Sequence, residues 1–368
     1  MTEHRNILGV SAHTTKNNVR GNFSKQKNEE LLLHIKSIIA EHTLKDKEWI
    51  KAISSQYFLI GIAKVLDYCD QDDYKQVLEA SLSSFKLRYD GGYRIDEKNI
   101  LIIPEENKKL IKCMQKEDSE DDYYKGRLGA DLIDRPDVLY QNYHYGLMIK
   151  ICSAEDTDNL RAIQKISMDE LFKREVLDEY GGWYHYRLSW ITARILISLK
   201  DVKYDSYSNK DIIKKTIDKA LDSLIERIFD NKYWRSGAGE WVSKWESTAL
   251  CLEALMLHDY IKKNKTKIDD VVKYLVDANS LSEWLKEPIF DNETQTNNTL
   301  ASIVLASNLY IIIKKYYKNQ YANIIEKITI FFEQCISILL KDKSKRNNFR
   351  QHCTIPEILY YISVAIKS

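Results

Sequence analysis

Two kinds of helical sequence alternate along this chain, and that alternation restricts its fold more than any other feature. One kind is amphipathic, as in Lys210-Asp-Ile-Ile-Lys-Lys-Thr-Ile-Asp-Lys-Ala-Leu, with a charged stripe opposite an apolar one. Such a helix keeps one face in water. The other kind is apolar nearly all round, as in Ile191-Thr-Ala-Arg-Ile-Leu-Ile-Ser-Leu, Thr248-Ala-Leu-Cys-Leu-Glu-Ala-Leu-Met-Leu and Leu300-Ala-Ser-Ile-Val-Leu-Ala-Ser. Such a helix requires neighbours on every side. The apolar helices recur at a long period: Thr192 to Thr248 is 56 residues, Thr248 to Thr299 is 51, and Thr299 to Ile355 is 56. A repeated outer-inner pair is the mark of stacked or ring-closed helical hairpins.

The 3.6-residue period predicts helices near 28–43, 47–69, 72–88, 105–117, 137–154, 156–174, 189–200, 209–229, 246–263, 267–286, 298–317, 320–341 and 355–367. Twelve of them pair as six hairpins, the expected content of an all-α, single (α/α)6 toroid spanning 28–368 with an insertion at about 89–136. An open solenoid is the alternative, but its repeats are usually shorter, at roughly 34 to 47 residues. Residues 1–27 are polar, rich in Asn and Lys, and lack an apolar face, so they are expected to form a flexible arm. With 4 prolines and 12 glycines in 368 residues, a sheet-and-turn architecture is not expected.

Charge and cysteine usage narrow the functional classes. Lys+Arg 55 against Asp+Glu 54 leaves a net charge of +1, without the positive surplus of a nucleic-acid-binding domain. The N-terminus lacks the apolar core of a secretory signal, and no apolar run approaches the roughly 18 residues of a membrane span. Six cysteines stand singly, which reads as thiols in a reducing compartment. A cytoplasmic, monomeric protein is expected.

The segments before the inner helices carry a family likeness. Tyr180-Gly-Gly-Trp-Tyr-His-Tyr-Arg-Leu-Ser-Trp-Ile-Thr-Ala resembles the Gly-Gly-Trp, then Thr-Ala-x-x-Leu, pattern of terpenoid cyclase and protein prenyltransferase repeats. Trp234-Arg-Ser-Gly-Ala-Gly-Glu-Trp-Val-Ser-Lys-Trp-Glu-Ser-Thr-Ala resembles it more closely, and Asp90-Gly-Gly-Tyr-Arg is a weaker copy. The likeness covers about residues 80–310. In physical terms the glycines allow a sharp turn and the aromatic packs under the next helix. The resemblance implies a toroid with a central cavity and, in these families, chemistry on an isoprenoid diphosphate, with Mg2+ accompanying the diphosphate. The signatures of those enzymes are not met. Asp70-Gln-Asp-Asp73 has the letters of the cyclase acid motif but falls where an inner helix hands over to an outer one, a place suited to capping. A zinc set of Asp, Cys and His is not found, and adjacent His352-Cys353 does not supply one.

In a toroid, the loops leading into the inner helices converge on one face, where helix N-termini favour anions. Those loops collect arginines, which grip anions with forked guanidinium groups, and aromatics, which suit an isoprenoid chain, a carbocation or a sugar face. The expected anion-holding residues are Arg187, Arg235, Lys244 and Arg350, and the expected apolar lining is Trp183, Trp190, Trp241 and Tyr186. Asp134 or Asp291 would supply an acid, His144 and His185 with Tyr186 a base, and Glu240 a further carboxylate beside Glu246, Asp291 and Glu293. The leading reading is an enzyme acting on an amphipathic anion such as an isoprenoid diphosphate. Alternatives are a non-catalytic ring that binds a peptide or protein partner, and a lyase or hydrolase for anionic sugars.

Overall fold

The apolar-all-round sequences do form the interior. In the computed structural model, which describes residues 26–45, 53–66, 72, 75–80, 94–95, 101–102, 146–147, 149–154, 158–172, 177–178, 182–183, 189–200, 202–204, 207–235, 243–317, 320–347 and 354–368, the chain is all-α. Of the described residues 82% are helical and 3% are in strands. The helices are α1 (26–39, continued by a π-helical turn Ala40–Lys45), α2 (Ile53–Leu66), α3 (helical residues 146–147 and 149–152), α4 (Asp158–Leu171), α5 (Ser189–Leu199) and α6 (Lys210–Glu226). They continue as α7 (Lys244–Leu257), α8 (Lys265–Val276), α9 (Ala278–Trp284), α10 (Glu293–Ile312), α11 (Ala322–Lys341) and α12 (Thr354–Lys367).

Among these, α5, α7, α10 and α12 bury nearly their whole circumference; in α5 only Trp190 is not fully buried. They pack in succession, α5 on α7, α7 on α10, α10 on α12, and α12 on α2. Gly146 of α3 faces Ser198 and Ile195 of α5. The amphipathic helices lie against this interior set. In α6 the buried residues Ile213, Ile217, Ala220, Leu221 and Leu224 repeat at helical spacing while the lysines between them face solvent. One helical run, Thr294–Tyr317, is long and apolar enough by composition to cross a membrane, and 83% of its apolar window is buried against its neighbours.

Several boundaries differ from the periodicity, each for a local reason. The expected helix 246–263 breaks at His258 and Asp259, where Asp259 takes a left-handed conformation (φ 55°) before a short helix Tyr260–Lys263. The expected helix 267–286 is two helices, because Asp277 is extended (ψ 143°) and its carboxylate accepts from Asn279 N–H, capping α9. The expected helix 209–229 stops at Glu226, and the chain forms an antiparallel hairpin of β5 (Ile228–Phe229) and β6 (Tyr233–Trp234). Its turn places Asp230 and Asn231 both at positive φ, 49° and 55°, as tight hairpin turns require. Two more hairpins occur, β1 (Arg94–Ile95) with β2 (Leu101–Ile102), and β3 (Leu177–Asp178) with β4 (Gly182–Trp183). Of the expected arm 1–27, residues 26 and 27 are helical and open α1, while the rest of it and the expected helix 105–117 lie outside the described residues.

Three tryptophans, two in hairpins and one closing α9, do more than fill space. Trp183, Trp234 and Trp284 are buried, and each indole N–H donates to a carbonyl at the end of the preceding outer helix: Leu171 at 2.9 Å, Leu224 at 2.6 Å and Leu275 at 3.0 Å. A helix end leaves its last carbonyls without intrahelical donors, and the indoles supply one each. Two threonines of the repeat, though not Thr192, work on the other side of the same joint. Thr248 Oγ1 accepts from Trp234 N–H at 3.0 Å, and Thr299 Oγ1 accepts from Ile289 N–H at 3.0 Å. The aromatic-then-threonine spacing is thus a clamp tying outer helix, connecting loop and inner helix together.

Candidate functional site

Charged residues inside the all-apolar helices meet at the centre of the interior set. Arg194 of α5 is ion-paired with Glu357 of α12 and donates to Tyr361 Oη at 3.0 Å, with Glu246 of α7 3.9 Å away. Tyr361 in turn donates to Glu253 Oε2 of α7 at 2.9 Å, and the amide of Asn308 on α10 donates to the same oxygen at 3.2 Å. The guanidinium also lies over the rings of Phe58 (5.7 Å) and Tyr361 (6.0 Å). Four helices are therefore joined by one buried polar chain. Its members satisfy one another, as buried polar groups must.

That chain ends on a cavity of about 340 Å³. Segments of α2, α3, α5, α7, α10 and α12 all contribute to its wall. Glu253, Asn308, Tyr57 and Tyr361 form its polar part. Ile60, Ile151, Ile197, Met256, Ile311 and Val364 form its apolar part. At the mouth stand Lys64, Lys150, Lys200 and Lys367, each in the last turn of its helix or just beyond it. Cations at helix C-termini are favoured by the exposed carbonyls there, which explains each lysine singly. Four of them around one opening make a strongly positive rim over an apolar wall.

Burial sets the protonation of these groups. Glu246 is pushed up to about 7 by burial and by the negative charge of Glu357, against the opposing pull of Arg194. Burial likewise raises Glu253 above the ordinary carboxylate value, although Arg194, Tyr361 and Asn308 oppose it. The single guanidinium of Arg194 does not offset burial for either Glu246 or Glu253. Lys150 is brought down to about 8 by burial and by the like charge of Lys64. The hydroxyls of Tyr57, Tyr360 and Tyr361 are all raised, chiefly by burial, and stay protonated.

The residues singled out in the loops before the inner helices are placed elsewhere. Trp183 is a fully buried clamp, its ring edge-on to Phe172 at 5.7 Å. Trp190 is half-buried at the start of α5. Arg235 and Lys244 come together around one aromatic cluster: Arg235 lies 3.5 Å over Phe229, and Lys244 lies 5.3 Å over Tyr233 and 4.3 Å over Trp245. Lys244 also pairs with Glu283 at 3.2 Å. Asp291 is exposed and paired with Lys345. None of these five lines the cavity. Asp134, His144, His185, Tyr186, Arg187, Glu240, Trp241 and Arg350 lie outside the described residues.

Sequence reasoning passed over Arg194, Glu253, Asn308, Glu357, Tyr361 and Lys150. The available signal was a charge within an otherwise apolar helix, as in Ala193-Arg-Ile-Leu and Leu252-Glu-Ala-Leu, because a charge survives burial only with partners. No protein-family model matches the chain, and neither the curated proteins nor the solved structures contain a match to it.

Proposed function

We propose that the chain is an (α/α)6 toroid whose axial cavity takes up an amphipathic anion of the isoprenoid-diphosphate type, in an enzyme of the terpenoid cyclase or prenyltransferase kind. The observation that carries this reading is the cavity itself, walled by six helical segments and graded from four ammonium groups at its mouth to an apolar wall with a polar end. Its volume lies in the range of small-molecule sites, roughly 300–1,000 Å³. The anionic head sits among Lys64, Lys150, Lys200 and Lys367, and the hydrocarbon runs along Ile60, Ile151, Ile197 and Met256. Glu253, its carboxyl raised above the ordinary value by burial, stands at the polar end as the proton source. The lysines that line the cavity supply counter-charge for the head group. Three buried free thiols, Cys152, Cys251 and Cys335, suit a reducing compartment such as the cytoplasm.

The test compares thermal stabilisation by farnesyl diphosphate, pyrophosphate and farnesol. A ligand at a hundred times its Kd stabilises the native state by about 2.7 kcal/mol. Farnesyl diphosphate is expected to stabilise more than either half alone, and Lys64→Met with Lys200→Met to abolish the difference. Absence of stabilisation by all three removes the reading. Glu253→Gln is expected to retain binding and lose turnover.

A further inference from the structure

The four lysines of the cavity mouth are not equivalent. Lys64, Lys200 and Lys367 are exposed, whereas Lys150 is half-buried between the apolar residues of α3 and the cavity wall. Among the charged groups that bear on it are Lys64 and Glu253, both of which line the same cavity. An amine that is partly removed from water beside a second ammonium loses its proton more readily than a surface lysine, and this is how amines become nucleophiles at neutral pH. We propose that Lys150 is a nucleophilic amine that condenses with the carbonyl carbon of an aldehyde or ketone bearing an anionic group, forming an imine inside the cavity.

The step balances without another reactant. The neutral Nζ attacks the carbonyl carbon, and the carbonyl oxygen takes up a proton to give a carbinolamine. That oxygen then leaves as water, carrying away both hydrogens originally on the amine nitrogen. The Lys64 ammonium can lend a proton for the departure of water and recover it when the imine nitrogen is deprotonated. The other lysines of the rim hold the anionic group, and the apolar wall takes the remainder of the molecule. Brought down to about 8, Lys150 holds a far larger neutral share near pH 7.5 than an ordinary lysine does.

This assignment rests on the reading of the cavity as an anion site, and the two can fail separately. The full-length protein is treated with pyridoxal 5′-phosphate, or with 5′-deoxypyridoxal, which lacks the anion and cannot close on its own aldehyde, at pH 7.5, then reduced with borohydride and mapped by peptide mass spectrometry. Lys150 is expected to take the adduct at least tenfold faster than the average lysine, and the phosphorylated aldehyde at least tenfold faster than the deoxy analogue. Lys150→Arg should remove the dominant adduct, and Lys64→Gln should slow it several-fold at pH 7.5. An adduct spread over the surface lysines, with Lys150 no faster than the rest, overturns the proposal; the wild-type map alone decides this, whatever the variants do. If Lys150 is selectively modified but equally fast by both aldehydes and without protection by farnesyl diphosphate, the nucleophile stands and the anion reading falls. If farnesyl diphosphate stabilises the protein and Lys150 is not selectively modified, the anion reading stands and the nucleophile falls.

Discussion

Arg194 and Glu357 are 163 residues apart in sequence and form an ion pair in which the two side chains are only 7% and 9% exposed. The pair joins α5 to α12 across the interior, and Glu246, Glu253 and Tyr361 attach to it. Burying a charge pair gains little net stability, but removing one partner leaves the other stranded. The chain is best understood as a register device, matching helices whose apolar surfaces would otherwise pack in several ways.

Arg194→Met is therefore expected to cost about 3–5 kcal/mol in urea denaturation at pH 7.5. It removes the guanidinium of this polar network while leaving three carboxyl groups behind. The loss should shrink at pH 5, where Glu246, raised to about 7, holds its proton. A triple replacement, Arg194→Met with Glu357→Gln and Glu253→Gln, should recover most of the stability. Equal destabilisation at both pH values would refute the charge-stranding account.

Stability should also fall as pH rises through the physiological range, the reverse of the usual carboxylate behaviour. Glu246 is at about 7 when folded, against 4.5 for the free group. A carboxyl with a raised folded value binds its proton more tightly in the native state, so its contribution is complete below 4.5 and is lost as pH climbs to about 7. One such group changes stability by up to about 1.4 kcal/mol per pH unit in that window. Burial pushes Glu253 in the same direction. Glu246→Gln should flatten the stability profile between pH 4.5 and 7, and an unchanged slope would exclude Glu246 as its source.

What could be read from the sequence divides along physical lines. The interior position of α7 and α10 was legible because their apolar residues cover every side, a property local to about 14 to 20 residues. The hairpin at 228–234 was not, because its turn uses Asp230 and Asn231 where glycine would have announced it. The Gly-Gly-Trp and threonine pattern gave the joint between helices, and its tryptophans proved to be clamps of the scaffold. The polar chain escaped for another reason. Arg194, Glu253 and Glu357 each look like a stray charge, and their partners lie 52 to 167 positions away, where no periodicity connects them.

The tryptophan clamp predicts a graded series. Trp234→Phe keeps most of the buried ring but leaves the Leu224 carbonyl without its donor, a loss of about 1–3 kcal/mol. Trp234→Ala also opens a cavity, and about 3–5 kcal/mol is expected. Trp284→Phe should behave like Trp234→Phe, since its indole makes the corresponding bond to Leu275. Trp190→Phe, at a half-buried position, should fall within about 0.5 kcal/mol of wild type. Denaturant midpoints for the four variants check the order, and a Trp190→Phe loss equal to that of Trp234→Phe would mean that the indole bonds are not what matters.

Gly61 tests how closely the interior helices approach. It lies on α2 where the ring of Tyr360 from α12 occupies the space a Cβ would need. Tyr360 is itself packed against Phe58 (centroids 5.6 Å) and Tyr361 (5.1 Å), so it can retreat only toward the cavity that it and Gly61 line. Gly61→Ala exchanges a small gain in helix propensity for this overlap, and forcing a packed ring aside costs about 1–3 kcal/mol. The expected outcome is net destabilisation, although alanine in place of glycine within an unobstructed helix gains about 1 kcal/mol. Tyr360→Leu made in the Gly61→Ala background should recover part of the loss, while the same change in wild type should only destabilise. A double-mutant cycle measures the coupling, and its sign discriminates: additive effects would place α2 and α12 farther apart at this point than the structure has them.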